Sequence, residues 1–154
     1  MNKNDLLLCN WYMDNKTKEQ RSKNMSAVRV KGTKPEIILR TRLFRQGFRY
    51  RLNVKNLPGS PDIVLPKYKT IIFVNGCFWH GHRGCKKAVL PETNTAFWKE
   101  KIDATKLRDK KTIKMLKVLG WHCLICWECD ILRNRYGFEV INGYLSLYIR
   151  KGEF

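Results

Sequence analysis

The alternation of apolar and polar positions marks out most of this chain's elements. Thr33-Lys34-Pro35-Glu36 has the form of a capping box: a threonine cap, a proline tolerated in the first turn, and a glutamate three residues on. Leu39, Leu43 and Phe44 follow as an apolar stripe, and Gly47 stands where such a helix stops. Phe48 to Leu52 alternates with period two, which predicts a strand with one apolar face. Beyond the turn Leu57-Pro58-Gly59-Ser60-Pro61, a second strand is expected over Asp62–Leu65. A third, over Lys69–Val74, is apolar enough to be central. A basic helix is expected from about Thr95 to Leu119, with Trp98, Ile102, Ile113 and Leu116 on one face and Gly120 ending it. Trp121 to Glu128 predicts a last, buried strand. Helix, three strands, helix, strand is the order of an α/β sandwich around a mixed sheet.

The flanks are less patterned. Residues 1–20 read as a loose arm and Gln20–Val30 as a short basic helix or arm, while the tail beyond Arg133 carries no clear period. The organisation expected is therefore an arm over 1–20, one domain over 21–133 and an extension over 134–154. At 154 residues, such a chain buries ~70% of its unfolded surface without needing disulfides. No run of 18 apolar residues is present to span a membrane. The three leucines of the opening MNKNDLLLCNW are too few for a secretory signal, so a cytoplasmic setting is expected.

Charge changes the picture most. With 31 Lys and Arg against 13 Asp and Glu, the chain carries +18, and an aromatic-rich chain of that charge points to nucleic acid as partner.

Six cysteines in a cytoplasmic protein favour metal ligation or buried thiols over disulfides. The run CLICWEC, residues 123–129, has the spacing of an iron–sulfur ligand set. In a strand, however, Cys123 and Cys129 are ~20 Å apart at ~3.3 Å per residue and Cys126 points the other way, so at most one of them joins a site. Cys77, His82 and Cys85, in the glycine-rich GCFWHGHRGC turn, can wrap a single ion. Cys129, at the end of the last strand, is the best placed fourth ligand, giving the closed set of a structural zinc. His80, between these ligands, reads either as a further ligand or as an acid/base group, since imidazoles exchange protons near neutral pH. Asp62 at a strand start, with backbone carbonyls alongside, offers hard oxygen donors suited to Mg²⁺, or simply caps a turn. Phe78 and Trp79, between the ligands of a polar turn, are oddly placed for core residues.

Taken in order, RSKNMSAV, TKPE, RYRLNVKNLPGSPDIVLP, IIFVNGCFWHGHRGC, FWKEKI, RDKK and GWHCLICWECDIL resemble the very short patch repair (Vsr) DNA mismatch endonucleases. The resemblance covers roughly Arg21 to Leu132, and its LPGxPD, GCFWH and WEC elements are together highly specific. It implies a restriction-endonuclease-like core, a central mixed sheet flanked by helices, with a structural zinc turn. It implies a strand-specific nick on the 5′ side of the thymine in a T:G mismatch, the product of 5-methylcytosine deamination. Asp62 and the Val74 carbonyl would hold a catalytic Mg²⁺, His80 would act on the attacking water, Asp109 would support it, and Glu36 would be an active-site acid. Cys77, His82, Cys85 and Cys129 would be the zinc ligands, and Phe78, Trp79 and Trp98 would enter the base stack, where unstacking costs least at a mismatch. Met25, Lys101, Thr105 and Arg108 would contact DNA, and lysines and arginines of the 99–117 helix would neutralise phosphates.

Three positions depart from the family pattern. A backbone ligand at Val74 survives loss of the polar side chain found in some members. Asn75, where a histidine often stands, removes or alters any second acid/base or phosphate-contacting group. Thr105, where asparagine is common, changes what is offered to the mismatched base. The expected partner is double-stranded DNA with a T:G mismatch, met by a monomer in the cytoplasm at the nucleoid, with mismatch-repair proteins as further partners. The alternatives are a restriction–modification nicking enzyme without mismatch preference and a zinc-stabilised DNA-binding protein without catalysis.

Overall fold

Helix α1, Lys34–Arg45, begins at the predicted capping box, with Pro35 in its first turn. The Glu36 carboxylate accepts the backbone N–H groups of Gly32 and Thr33, and the Thr33 hydroxyl donates to it at 2.8 Å. The helix stops at Gln46, and Gly47 follows in the left-handed conformation that glycine adopts without strain. This computed structural model describes residues 31–133 continuously, with Thr17, Glu19, Gln20, Lys23, Ser26, Ala27, Ile141 and Gly143. Most of the expected N-terminal arm and helix, Met25 included, and nearly all of the 134–154 extension lie outside the described residues.

Four strands form one mixed sheet in the order β1-β2-β3-β4: β1 Arg51–Leu52, β2 Ile63–Leu65, β3 Thr70–Asn75 and β4 His122–Trp127. β1 to β3 pair antiparallel, and β3 to β4 pair parallel across a crossover that contains α2, Thr95–Val118. Alternation along the strands divides the core in two. Ile63, Leu65, Ile72 and Cys126 meet Leu39 and Leu43 of α1 and Ile131 of a short helix α3, Glu128–Leu132; Ile141 joins them. Val64 and Ile71, on the other face, meet Leu116 of α2. The sheet is flanked by helices on both sides, as expected of the fold class.

Some expectations need correction. The strand over Phe48–Leu52 shrinks to Arg51–Leu52, both exposed, because β1 is an edge strand and Asn53 turns the chain at φ 48°. Phe48 is nevertheless buried and Tyr50 packs beside it on the core. The second and third strands start one residue later than expected, the third because Lys69 takes a left-handed φ of 45°. The last strand, expected to be buried, is an edge of the described sheet in which only Cys126 is fully buried. It also ends at Trp127, so Cys129 stands in the first turn of α3 rather than at a strand end. On α2 the deepest positions are Ile102, Thr112 and Leu116, with Ile113 only half-buried.

Two glycine turns seat α2. A Cβ on Gly59 would lie 2.5 Å from the Thr112 methyl, and one on Gly81 would lie 2.9 Å from the Ile102 Cγ2. Both glycines have positive φ, so the turns can approach where no other residue would fit. They grip the helix on either side of Asp109.

Candidate active site and metal centre

The parallel register decides which cysteines can meet. Asn75 pairs with Trp127, so Cys77 and Cys129 each lie two residues beyond the same rung, at the C-terminal ends of neighbouring strands. Cys123 pairs with Ile71, far down the ladder, and packs beside the α2 core, whereas Cys126 is buried on the opposite face. After β3 the chain folds back at once: His82 N–H donates to the Cys77 carbonyl at 2.9 Å and Cys85 N–H to the His82 carbonyl at 3.3 Å. The ligand atoms of Cys77, His82, Cys85 and Cys129 consequently lie within 4.8 Å of one another.

Within this group the His82 Nδ1 is 3.5 Å from the Cys77 Sγ and 3.4 Å from the Cys129 Sγ. A tetrahedral ion with metal–sulfur bonds of ~2.3 Å and a metal–nitrogen bond of ~2.0 Å has sulfur–nitrogen edges of ~3.5 Å, so this donor set can hold such an ion. Without an ion the thiols crowd one another. Burial, with Cys77 next to it, pushes Cys129 up to about 12, and burial also raises Cys77. Cys85, despite its desolvation, is held below the ordinary thiol value by the Lys87 N–H and the two neighbouring thiols. Burial and mutual proximity thus work against the thiolate forms of Cys77 and Cys129, which a bound cation would favour.

The ring of His82 lies flat on Trp127, centroids 4.0 Å apart and planes 1° from parallel. The Lys87 ammonium meets the Glu128 carboxylate at 2.9 Å and ties the loop to α3.

The other side of the same turn carries the candidate chemistry. Gly81 lets the turn press on α2, and His80 reaches Asp109 there, Nδ1 to Oδ2 at 2.6 Å. Both side chains are about a quarter exposed, so the pair opens to solvent. An ionised Asp109 requires the proton on Nδ1, which leaves Nε2 as an acceptor. Asp62 is fixed from β3: its Oδ2 accepts the Val74 N–H at 2.8 Å. The Val74 side chain packs in the α1 core, so Val74 serves this site through its backbone.

Burial raises the pKa of Asp62 and the Val74 bond opposes that rise; Glu36 adds to it, while the charges of His80 and Lys31 act against it. A half-dry carboxylate with a second carboxylate near it is an environment that a hard cation relieves. Glu36 is 5% exposed and its carboxylate is engaged by the helix cap, so it acts on the site through its field and by anchoring α1.

Phe78, Trp79 and Trp98 form one edge-to-face cluster with centroids 5.2–6.1 Å apart. All three are half-buried and belong to neither core. The Lys101 ammonium lies 5.5–5.8 Å from the rings of Trp79, Trp98 and Phe97. Thr105 and Asp109 lie on the same inner stripe of α2 as Ile102, and the Thr105 hydroxyl is bonded to the Lys101 carbonyl at 3.0 Å. Arg108 is exposed on the same helix.

The structure therefore brings the zinc-type residues together and sets Asp62, His80 and Asp109 in one neighbourhood. Sequence reading missed several participants. Phe97, 56% exposed, joins the aromatic cluster against Trp98 at 5.2 Å, and its adjacency in FW was the available signal. Trp127, Lys87, Glu128, Lys31 and Thr112 act through tertiary contacts with no local signature.

Residues 13–87 match the family described as DNA mismatch endonuclease Vsr. The chain is 48% identical over 126 residues to type II nicking enzyme V.NmeAIP of Neisseria meningitidis serogroup A, covering 82% of this chain and 89% of that protein. Against type II nicking enzyme V.XorIIP of Xanthomonas oryzae it is 42% identical, covering 77% and 86%. Against DNA mismatch endonuclease Vsr of Escherichia coli it is 45% identical, covering 77% and 74%.

Proposed function

The chain belongs to the Vsr family of DNA mismatch endonucleases, and from that premise we propose that it nicks one strand of duplex DNA on the 5′ side of the thymine in a T:G mismatch. The observation that carries the reading is the meeting of three parts at one place. A carboxylate, Asp62, is clamped by β3; a His80–Asp109 pair stands at 2.6 Å; and two half-exposed aromatics of the His80 turn, Phe78 and Trp79, cluster with Trp98 of α2.

Asp62 and the Val74 carbonyl would hold Mg²⁺, which supplies polarisation of the scissile phosphate and acidification of bound water. His80 accepts the proton of the attacking water at Nε2, and Asp109 holds the ring in that tautomer and stabilises the imidazolium that forms. Phe78, Trp79 and Trp98 wedge the stack, selecting steps that a mismatch has already loosened. The eight Lys and Arg of α2, against three acidic residues, neutralise phosphates. Cys77, His82, Cys85 and Cys129 would hold zinc, a closed donor set that would serve as a rigid mount rather than in the chemistry. The setting is the cytoplasm, with the protein acting as a monomer.

Purified protein with Mg²⁺, given T:G and fully paired duplexes of one sequence, tests this directly. Nicking confined to the strand with the mismatched thymine is expected. Equal nicking of both duplexes favours a second reading, a restriction–modification nicking enzyme without mismatch preference. That reading is supported by the names of relatives and by a Thr105 hydroxyl engaged by its own helix.

A further inference from the structure

Lys106 lies across the turn that carries His80. A Cβ built on Gly81 would fall 2.3 Å from the Lys106 Cε and 2.7 Å from its Nζ, so the ammonium sits directly over the backbone that follows His80. Asp109, which holds the His80 ring, is three residues further along α2, and residues so spaced share a side of a helix. Lys106 thus stands on the helix face that carries Asp109, with its ammonium against the residue next to His80.

Its charge is also available. Among the described residues its ion pair is with Asp103 at 3.9 Å, too long for a hydrogen bond, and the lysine side chain is 44% exposed. An incoming phosphodiester brings a negative charge that grows on its non-bridging oxygens as water attacks. A preplaced cation without a competing close bond stabilises that growth more than it stabilises the bound substrate.

We propose that Lys106 contacts a non-bridging oxygen of the scissile phosphate and stabilises the charge that develops there. The proposal rests on the DNA endonuclease reading above. Positive charge at the site would then come both from the metal that Asp62 would hold and from an ammonium of α2, with Gly81 the residue that leaves room for the lysine stem.

The test compares wild type, Lys106→Met, Lys106→Gln and Lys106→Arg with Lys55→Met, which removes the same charge from the exposed turn after β1. Single-turnover nicking with enzyme in excess, duplex affinity and melting temperature are measured for each. Methionine and glutamine should slow nicking about 100-fold, the typical loss on removing one transition-state donor. Affinity for the duplex should change by less than about threefold, since one phosphate contact among many is lost. Arginine should restore part of the rate, and Lys55→Met should leave it unchanged. A Lys106→Met enzyme that folds and nicks within about threefold of wild type overturns the proposal. So does a loss of rate matched by an equal loss of affinity, which would make Lys106 a binding anchor. A wild-type chain that nicks no DNA removes the endonuclease reading itself, a result distinct from normal wild-type nicking with an indifferent Lys106.

Discussion

Gly59 lies so close to Thr112 that a Cβ on the glycine would come within 2.5 Å of the threonine methyl. This contact locks the Leu57–Pro61 turn onto α2 and thereby holds Asp62, three residues on, beside the helix that supplies Asp109. Gly59→Ala should lower stability by ~1–3 kcal/mol, from the left-handed φ of 76° and the overlap together. Adding Thr112→Ala should recover part of that loss by removing the methyl, leaving the backbone strain. Chemical denaturation of the two single variants and the double variant checks it; strict additivity would mean that the contact is not felt.

Asp62→Asn should abolish nicking while DNA binding survives, since the phosphate contacts are untouched. It should also leave the metal-free fold as stable as wild type, or more so. Burial raises the pKa of Asp62 in the fold above its unfolded value. Such a group contributes its stability below the unfolded pKa and loses it as pH rises through the folded one, so at neutral pH the ionised carboxylate opposes folding. Asparagine keeps an oxygen for the Val74 N–H without the charge. Melting in Mg²⁺-free buffer from acid to neutral pH should show the wild type losing stability relative to the variant, and added Mg²⁺ should raise only the wild type. Cleavage above a tenth of wild type would remove Asp62 from the chemistry.

About one zinc per chain is expected from metal analysis. Cys129→Ser should lose it and destabilise the fold, because Cys77, His82 and Cys85 no longer form a closed set and the tie between the turn and α3 is lost; Cys123→Ser should keep it. Dependence on Cys123 instead would contradict the β3–β4 register.

Phe78→Ala combined with Trp79→Ala should lower the melting temperature only slightly. Core aromatics cost ~3–5 kcal/mol each when truncated, but these two are half-buried against one another and Trp98, outside both cores. Mismatch nicking should fall sharply, while salt-dependent binding to paired duplex, which comes from lysine and arginine, should change little. A collapse in stability with normal activity per folded molecule would return both rings to a structural role.

The sequence by itself determined the elements whose signals are local. Thr33 and Glu36 announced α1, the apolar run before Asn75 announced a central strand, and the periodicity from Thr95 with Gly120 behind it announced α2. The spacing within GCFWHGHRGC was enough to gather Cys77, His82 and Cys85, because a short turn leaves them nowhere else to go. Tertiary structure decided what local signals cannot encode. Cys129 reaches the turn because β3 and β4 pair parallel in one register and α3 then turns the chain inward. The short, exposed β1 and the edge position of β4 follow from what pairs with what, which alternation alone does not state. Thr112 is buried, and Lys106 is brought against Gly81, by glycine turns distant in sequence that press on one helix. Short-range patterns record the residues that share a helix or a turn. Contacts between residues far apart in sequence depend on the packing of whole elements, and only the folded chain sets that.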